Sequence, residues 1–354
     1  MTARTRADLA ALPSYVPGRA IEGAIKLASN EVPGGPLPSV AKAIADATAL
    51  INRYPDSGAT ELIAMLSARL GVPAEQISAG CGSVTLFQQL VQAMCTEADT
   101  VVYPWRSFEA YPIIVQVVGA QQVQVPLHDD QSLNLDALLA AITPETRMVV
   151  VCTPNNPTGT AVRREPLTRF LDAVPDNVLV VIDEAYREFV TDPEVPDGVE
   201  LAKEYWAKGR DVAVLRTFSK AYGLAGLRVG YLVAPPEVTD AVRKVFVPFG
   251  VNALAQVAAI ASLEAADELL ERCKEIIAER SRVHAALTEA GYDVPPTQAN
   301  FVWLPLGDRA LEFAEHCLTH KVIVRPFKGD GVRVTIGTPA ENDTFLTAAT
   351  TFVR

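Results

Sequence analysis

Lys220, Asp183, Asn156 and Arg228 are the residues whose types and settings could do chemistry together. Lys220 stands in Thr217-Phe218-Ser219-Lys220-Ala221-Tyr222-Gly223-Leu224-Ala225-Gly226-Leu227-Arg228. A primary amine in such a loop can condense with an aldehyde. Ser219, Thr217 and Arg228 around it offer hydroxyl and guanidinium donors to an anion such as a phosphate. Gly80-Cys81-Gly82-Ser83 opens a helical pattern and adds backbone N–H groups at a positive helix end. That Gly-x-Gly alone is a weak signal, because the third glycine of a dinucleotide fingerprint is missing. Asp183, in Asp183-Glu184-Ala185-Tyr186, offers a carboxylate able to keep a heterocyclic nitrogen protonated. Glu184 ranks second, since adjacent strand residues point to opposite faces. Asn156, in Thr153-Pro154-Asn155-Asn156-Pro157-Thr158-Gly159, and Tyr186 offer hydrogen-bond donors to a phenolic oxygen.

An aldehyde, a phenolic oxygen, a protonatable ring nitrogen and a phosphate on one small molecule describe pyridoxal 5'-phosphate. Lys220 would carry it and, once displaced by an incoming amino acid, could move a proton. The segments must then converge, and the elements before them show how. The runs 148–152, 178–182 and 212–215 are nearly continuous in apolar residues, as in strands buried on both faces. Each ends at one of the three chemical segments, and open α/β sheets bind ligands at the carboxyl ends of their strands. Further strands are expected at 100–103, 122–125 and 229–233. Helices are expected over 38–50, over 58–70 with Leu62, Met65, Leu66 and Leu70 on one face, from about 83, and near 165–173. Long helical patterns fill 236–290. A strand at 300–304, a helix over 308–320 and strands at 322–325 and 331–336 follow. Pro13, Pro17 and Pro33 argue against a long helix before residue 35. The expected fold is α/β. An N-terminal arm covers 1–35, a large domain with a mostly parallel sheet flanked by helices covers 36–245, and a smaller α+β domain covers 246–354.

The 354 residues are 49% hydrophobic and 21% charged, with a net charge of −11. Such an acidic chain without a basic cluster argues against nucleic acid or an anionic membrane as partner. No apolar run approaches the roughly 20 residues of a membrane span. The first residues lead into a polar segment and not a signal-peptide core, so a cytoplasmic location is expected. Cys81, Cys95, Cys152, Cys273 and Cys317 are scattered without a Cys-x-x-Cys pair, which favours neither disulfides nor zinc. His316 and His320 flank Cys317 on the expected 308–320 helix but lack a third ligand, so no metal is expected.

Taken together, the motifs resemble the fold-type I pyridoxal-phosphate-dependent aminotransferases, and among them the histidinol-phosphate aminotransferase family. The resemblance runs through Leu27-Ala28-Ser29-Asn30-Glu31, Asn52-Arg53-Tyr54-Pro55-Asp56, Asn155–Gly159, Asp183–Tyr186, Phe218–Arg228 and Arg333-Val334-Thr335-Ile336-Gly337, in order. It implies that Gly82, Ser83 and Val84 join the cofactor site and that Phe108 stacks on the ring. It implies a homodimer in which Tyr54 reaches the cofactor phosphate of the partner subunit. Arg333 would bind the substrate carboxylate, and Asn30, Tyr15, Asn300 and Arg325 would line the substrate pocket. The family commonly carries Asp-Glu after Gly-Ser, where this chain has Val84-Thr85, and Tyr103-Pro104-Trp105-Arg106-Ser107-Phe108-Glu109-Ala110-Tyr111 also departs from the commoner pattern. Both departures resemble the aromatic, phenylalanine-type branch. The implied reaction moves an amino group between an aromatic amino acid and 2-oxoglutarate; the alternative is histidinol-phosphate transamination. A lyase or decarboxylase on the same fold would form product without a keto-acid acceptor. A transcription regulator would need a DNA-binding domain ahead of the arm, and from the short stretch before Leu27 none is expected.

Overall fold

The structure, a computed structural model, describes residues 6, 7, 9 and 21–352. Tyr15 lies outside the described residues. Twelve strands are present among them: β1 Ile25–Lys26, β2 Ile77–Gly80, β3 Thr100–Trp105, β4 Gln121–Pro126, β5 Thr146–Cys152, β6 Leu179–Asp183, β7 Val212–Thr217, β8 Gly230–Val233, β9 Phe301–Leu304, β10 Val322–Ile323, β11 Arg325–Phe327 and β12 Gly331–Thr335. Seven form one sheet in the order β2-β8-β7-β6-β5-β3-β4. β3 to β7 pair in parallel, and β8 runs antiparallel to both its neighbours.

The central strands read as apolar runs because helices cover both faces of the sheet. Val149, Val151, Val180, Ile182, Val212 and Val214 pack into one layer with Leu62, Leu167, Phe170 and Tyr205. Their alternates Met148, Val150, Cys152, Leu179, Val181, Ala213 and Leu215 pack into the other, with Phe87, Leu90, Tyr111 and Val115. The two-residue period of a strand sorts them, and each fully buried side chain contributes roughly 1.5–3 kcal/mol. The same parity puts the Asp183 side chain on the Tyr111 face and the Glu184 side chain on the opposite one.

Two smaller assemblies close the site from the other side. β11, β12 and β9 form an antiparallel sheet, in which Arg333 is opposite both Trp303 and Arg325. β1 pairs in parallel with β10. Leu27 then bonds to Ile323 and Thr335, which carries Ala28, Ser29 and Asn30 to the ends of the large sheet.

The expected strands occur with their ends moved by one or two residues, except that the expected 322–325 strand divides into β10 and β11, which join different sheets. The expected 38–50 helix is Pro38–Ala47 followed by a 3₁₀ turn, and the 236–290 pattern divides into Pro236–Lys244, Ala253–Glu264 and Ala266–Glu289. β1, β2 and the helices Ala110–Val118, Leu135–Ala140, Gly198–Trp206 and Pro339–Thr351 were not expected. The last carries a readable start: the Thr338 hydroxyl accepts from the Glu341 backbone while the Glu341 carboxylate accepts from the Thr338 backbone, a reciprocal cap written as Thr-x-x-Glu.

Candidate active site

The carboxyl ends of β5, β6 and β7 open onto a cavity of about 560 Å³. Its wall includes Asn156, Asp183, Tyr186, Thr217, Ser219, Lys220, Arg228, Ser83, Val84, Phe108, Asn30, Arg325 and Arg333. Asn156, Asp183 and Lys220, far apart in sequence, meet because β5, β6 and β7 are neighbours in one sheet.

Asp183 ends β6 and is 6% exposed. Burial pushes its carboxyl up to about 6, while the Tyr111 hydroxyl and the Ala185 N–H pull it back. Tyr111 donates to Asp183 Oδ2 at 2.6 Å, and Ala185 N to Oδ1 at 3.2 Å. Tyr111 comes from the unexpected Ala110–Val118 helix, and sequence reasoning missed it. Only the parity of β6, combined with the helix position, places the phenol there. Glu184 instead accepts from Arg216 and from the Gly198 N–H. It is part of the internal scaffold and is absent from the cavity wall.

Lys220 reaches the cavity from the loop after β7, with Nζ donating to the Ser29 carbonyl at 2.9 Å. Its amine is held down to about 7. Loss of hydration is the main cause, and the charges of Arg333, Arg228 and Lys26 add to it against the opposing Glu31. Near neutral pH about half of such an amine is free of its proton and nucleophilic.

Hydrogen bonds orient the remaining donors. Arg333 Nη1 donates to Asn156 Oδ1, which fixes the amide so that Nδ2 is the atom left to donate. Arg333 Nη2 donates to the Ala28 carbonyl at 2.7 Å. Asn30 Nδ2 donates to the Tyr186 oxygen at 2.8 Å, so the Tyr186 hydroxyl proton remains for another acceptor. Asn30, at φ 56°, is held by Thr335 and by Asn300, whose Nδ2 donates to the Asn30 carbonyl. Asn300 is thus behind the wall and supports Asn30. The neighbouring Asn155 bonds to Ser107 and Thr158 and braces the turn.

An anion cradle lies at the start of the Ser83–Met94 helix. Gly82 caps it at φ 84° without a side-chain bond, so the first N–H groups are open. A Cβ at position 82 would stand 2.7 Å from Arg228 Nη2, which a side-chain shift could relieve, so it is the backbone at φ 84° that favours glycine here. Arg228 itself has φ 59°, an uncommon conformation for a side-chain-bearing residue, and its Nη1 donates to Ser219 Oγ at 3.1 Å. Open helix N–H groups, two hydroxyls and a guanidinium fit a phosphate, and the buried Asp183 fits a cationic ring nitrogen. Phe108 lies on the same wall, edge-on to Tyr111. Val84 contributes an apolar side chain where an acid was the commoner expectation. Arg228→Gln is expected to weaken cofactor binding by about tenfold to a hundredfold, the range for one charge-assisted bond, as read by absorbance titration of the cofactor-free protein.

Arg325 is on the wall as expected, but its Nη2 donates to Glu109 Oε2 at 2.8 Å. Glu109 and Phe327, also on the wall, were not singled out from sequence. Tyr54 is away from this cavity, 82% exposed and stacked on Phe249 at 4.6 Å.

Residues 22–348 match the family model described as aminotransferase class I and II. The chain is 58% identical over 351 residues to the aromatic amino acid aminotransferase of Rhodococcus jostii strain RHA1, covering 99% of this chain and 96% of that one. It is 57% identical over 353 residues to the aromatic amino acid aminotransferase of Thermobifida fusca strain YX, covering 99% and 97%. Among solved structures, the histidinol-phosphate aminotransferase from Sinorhizobium meliloti in complex with pyridoxal-5'-phosphate is similar at 30% identity and a TM-score of 0.88, covering 99% of this chain and 97% of that one.

Proposed function

The chain belongs to the class I and II aminotransferase family, a pyridoxal-phosphate-dependent family, and from that premise we propose that it moves an amino group between an aromatic amino acid and 2-oxoglutarate. The observation that carries the substrate class is the wall beyond the polar groups, where Phe108, Ala110, Ile113 and Phe327 present apolar surface. A flat ring is bound there by packing, whereas a phosphate needs several unpaired donors. The similarity to relatives named for aromatic substrates supports the same reading.

Pyridoxal phosphate, when bound, supplies an aldehyde and a ring that withdraws electrons from the substrate carbon. The protein's residues divide the rest. Arg228, Ser219, Thr217 and the N–H groups after Gly82 hold the phosphate. Asp183 holds the ring nitrogen as a cation, and Asn156 and Tyr186 donate to the phenolic oxygen. Phe108 covers one ring face. Lys220 Nζ attaches the cofactor and, when freed, accepts the proton from the amino acid's α-carbon. Arg333 pairs with the substrate α-carboxylate, a planar two-pronged match.

The second reading is histidinol-phosphate transamination, favoured by the Sinorhizobium meliloti similarity and by the two arginines on the wall. Side-by-side kcat/KM values for phenylpyruvate and imidazole acetol-phosphate decide. A preference of at least about a hundredfold for phenylpyruvate is expected, because Arg325 on the wall is already held by the Glu109 carboxylate and a phosphate would have to displace it. The reverse preference overturns the aromatic assignment.

We also propose a homodimer in which Tyr54 reaches the partner's cofactor phosphate. Leu50, Ile51, Tyr54, Val247 and Phe249 are all exposed large hydrophobic residues, and such surface favours association. The division into an arm over 1–35, a large domain over 36–245 and a small domain over 246–354 is retained as a proposal. So is a cytoplasmic location, supported by five cysteines that are all free thiols. No helix among the described residues is long and apolar enough to cross a membrane.

A further inference from the structure

Arg325 of β11 and Arg333 of β12 are direct register partners on the cavity side of the small sheet. Like charges so placed repel each other, and each is answered differently. Arg333 is oriented by bonds to Asn156 and the Ala28 carbonyl. Arg325 is answered by the Glu109 carboxylate at 2.8 Å. Glu109 is the residue before the Ala110–Val118 helix, yet its side chain makes no capping bond to that helix. It reaches across to the small sheet instead. The pair is partly open to solvent, at 21% and 36% side-chain exposure, and both members are on the cavity wall. The anion on Arg325 is therefore one the protein itself supplies, in a place that a ligand anion could reach.

We propose that Glu109 is a specificity residue, which occupies Arg325 as an internal carboxylate and thereby selects against amino donors whose side chain ends in a phosphate. The inference rests on the aromatic reading of the site. An aromatic side chain leaves the ion pair closed and packs on Phe108, Ile113 and Phe327. A phosphate dianion must open the pair and then stand beside the carboxylate it displaced, or else remain without its guanidinium. Both outcomes penalise it, and neither touches an uncharged ring. Removing the charge at 109 leaves two facing guanidinium groups with one acceptor set between them, which makes the wall attract anions. The segment stays in place without Glu109's charge, because Arg106 Nε also bonds to Asp330 in the β11–β12 turn, at 2.8 Å.

Glu109→Gln keeps the volume and removes the charge. The test uses the cofactor-loaded enzyme with two competitors, 3-phosphonopropionate and 3-phenylpropionate, read by inhibition constants and by calorimetric binding. The phosphonate is expected to bind the variant at least about tenfold more tightly than the parent, while the phenyl acid changes by less than about threefold. Adding Arg325→Gln to that variant should remove the gain. Glu109→Ala repeats the comparison if the amide disturbs folding. No gain for the phosphonate in either variant, or an equal shift for both competitors, overturns the proposal. A parent enzyme that already binds the phosphonate more tightly than the phenyl acid defeats the aromatic reading itself, and the proposal with it, before any variant is measured.

Discussion

Lys220→Ala is expected to lower turnover by on the order of 10⁴-fold or more while the protein still binds pyridoxal phosphate noncovalently. Two separate losses combine. The amine proposed to attach the cofactor is gone, and so is the proposed base for the α-proton; positioned proton transfer alone is worth about 10² to 10⁴. Binding survives because the phosphate cradle at Gly82, Ser219 and Arg228 does not depend on the lysine. The pH dependence of cofactor attachment follows from the amine's setting. An amine at the ordinary 10.5 is neutral in about one molecule in three thousand at pH 7, whereas Lys220, held near 7, is about half neutral there. Attachment should therefore be level above pH 7 and fall about tenfold per unit as pH drops below it. Stopped-flow absorbance after mixing cofactor-free protein with pyridoxal phosphate measures this. A rate that keeps climbing toward pH 10 would show an ordinary, solvated lysine.

Asp183→Ala should raise the barrier by several kcal/mol, on the order of a hundredfold to a thousandfold in kcat, the scale for losing one preorganised electrostatic group. The carboxylate is useful because it is buried and aimed. Tyr111 and the Ala185 N–H fix both oxygens, so the carboxylate would set a desolvated negative charge against a bound ring nitrogen. Asp183→Asn keeps the shape and should lose nearly as much, which separates charge from packing. The carboxyl's raised value of about 6 sets a second dependence. Below that pH it is protonated and cannot hold a cation, so cofactor affinity should weaken as pH falls through 6, and the Asn variant should lack that component. Tyr111→Phe removes a donor that keeps Asp183 ionised and should move the dependence upward. A variant without Asp183 that turns over at nearly the normal rate would show that the ring nitrogen is elsewhere.

The parts of the site that follow strand ends were legible in the sequence. Asn156, Asp183 and Lys220 each come just after a buried apolar run, and the sheet order does the rest by making those runs neighbours. The period of two was enough to prefer Asp183 over Glu184. Tyr111 was not legible, because its helix, Ala-Tyr-Pro-Ile-Ile-Val-Gln-Val-Val, is rich in β-branched residues and contains a proline. Local preference there favours a strand, and packing against the sheet overrides it. Glu109 was hidden for a related reason, since its partner Arg325 is 216 residues away on another sheet. Asn300 shows the opposite error: a polar residue expected on the pocket wall is a support one step behind it, and only the bond to the Asn30 carbonyl reveals this.

The most direct test of the account is borohydride reduction after incubation with pyridoxal phosphate, followed by peptide mass spectrometry. A pyridoxyl mass increment is expected on Lys220 at close to one per chain, and is expected to be absent from the Lys220→Ala protein. A colourless protein with an unmodified Lys220, or with the label on another lysine, contradicts it.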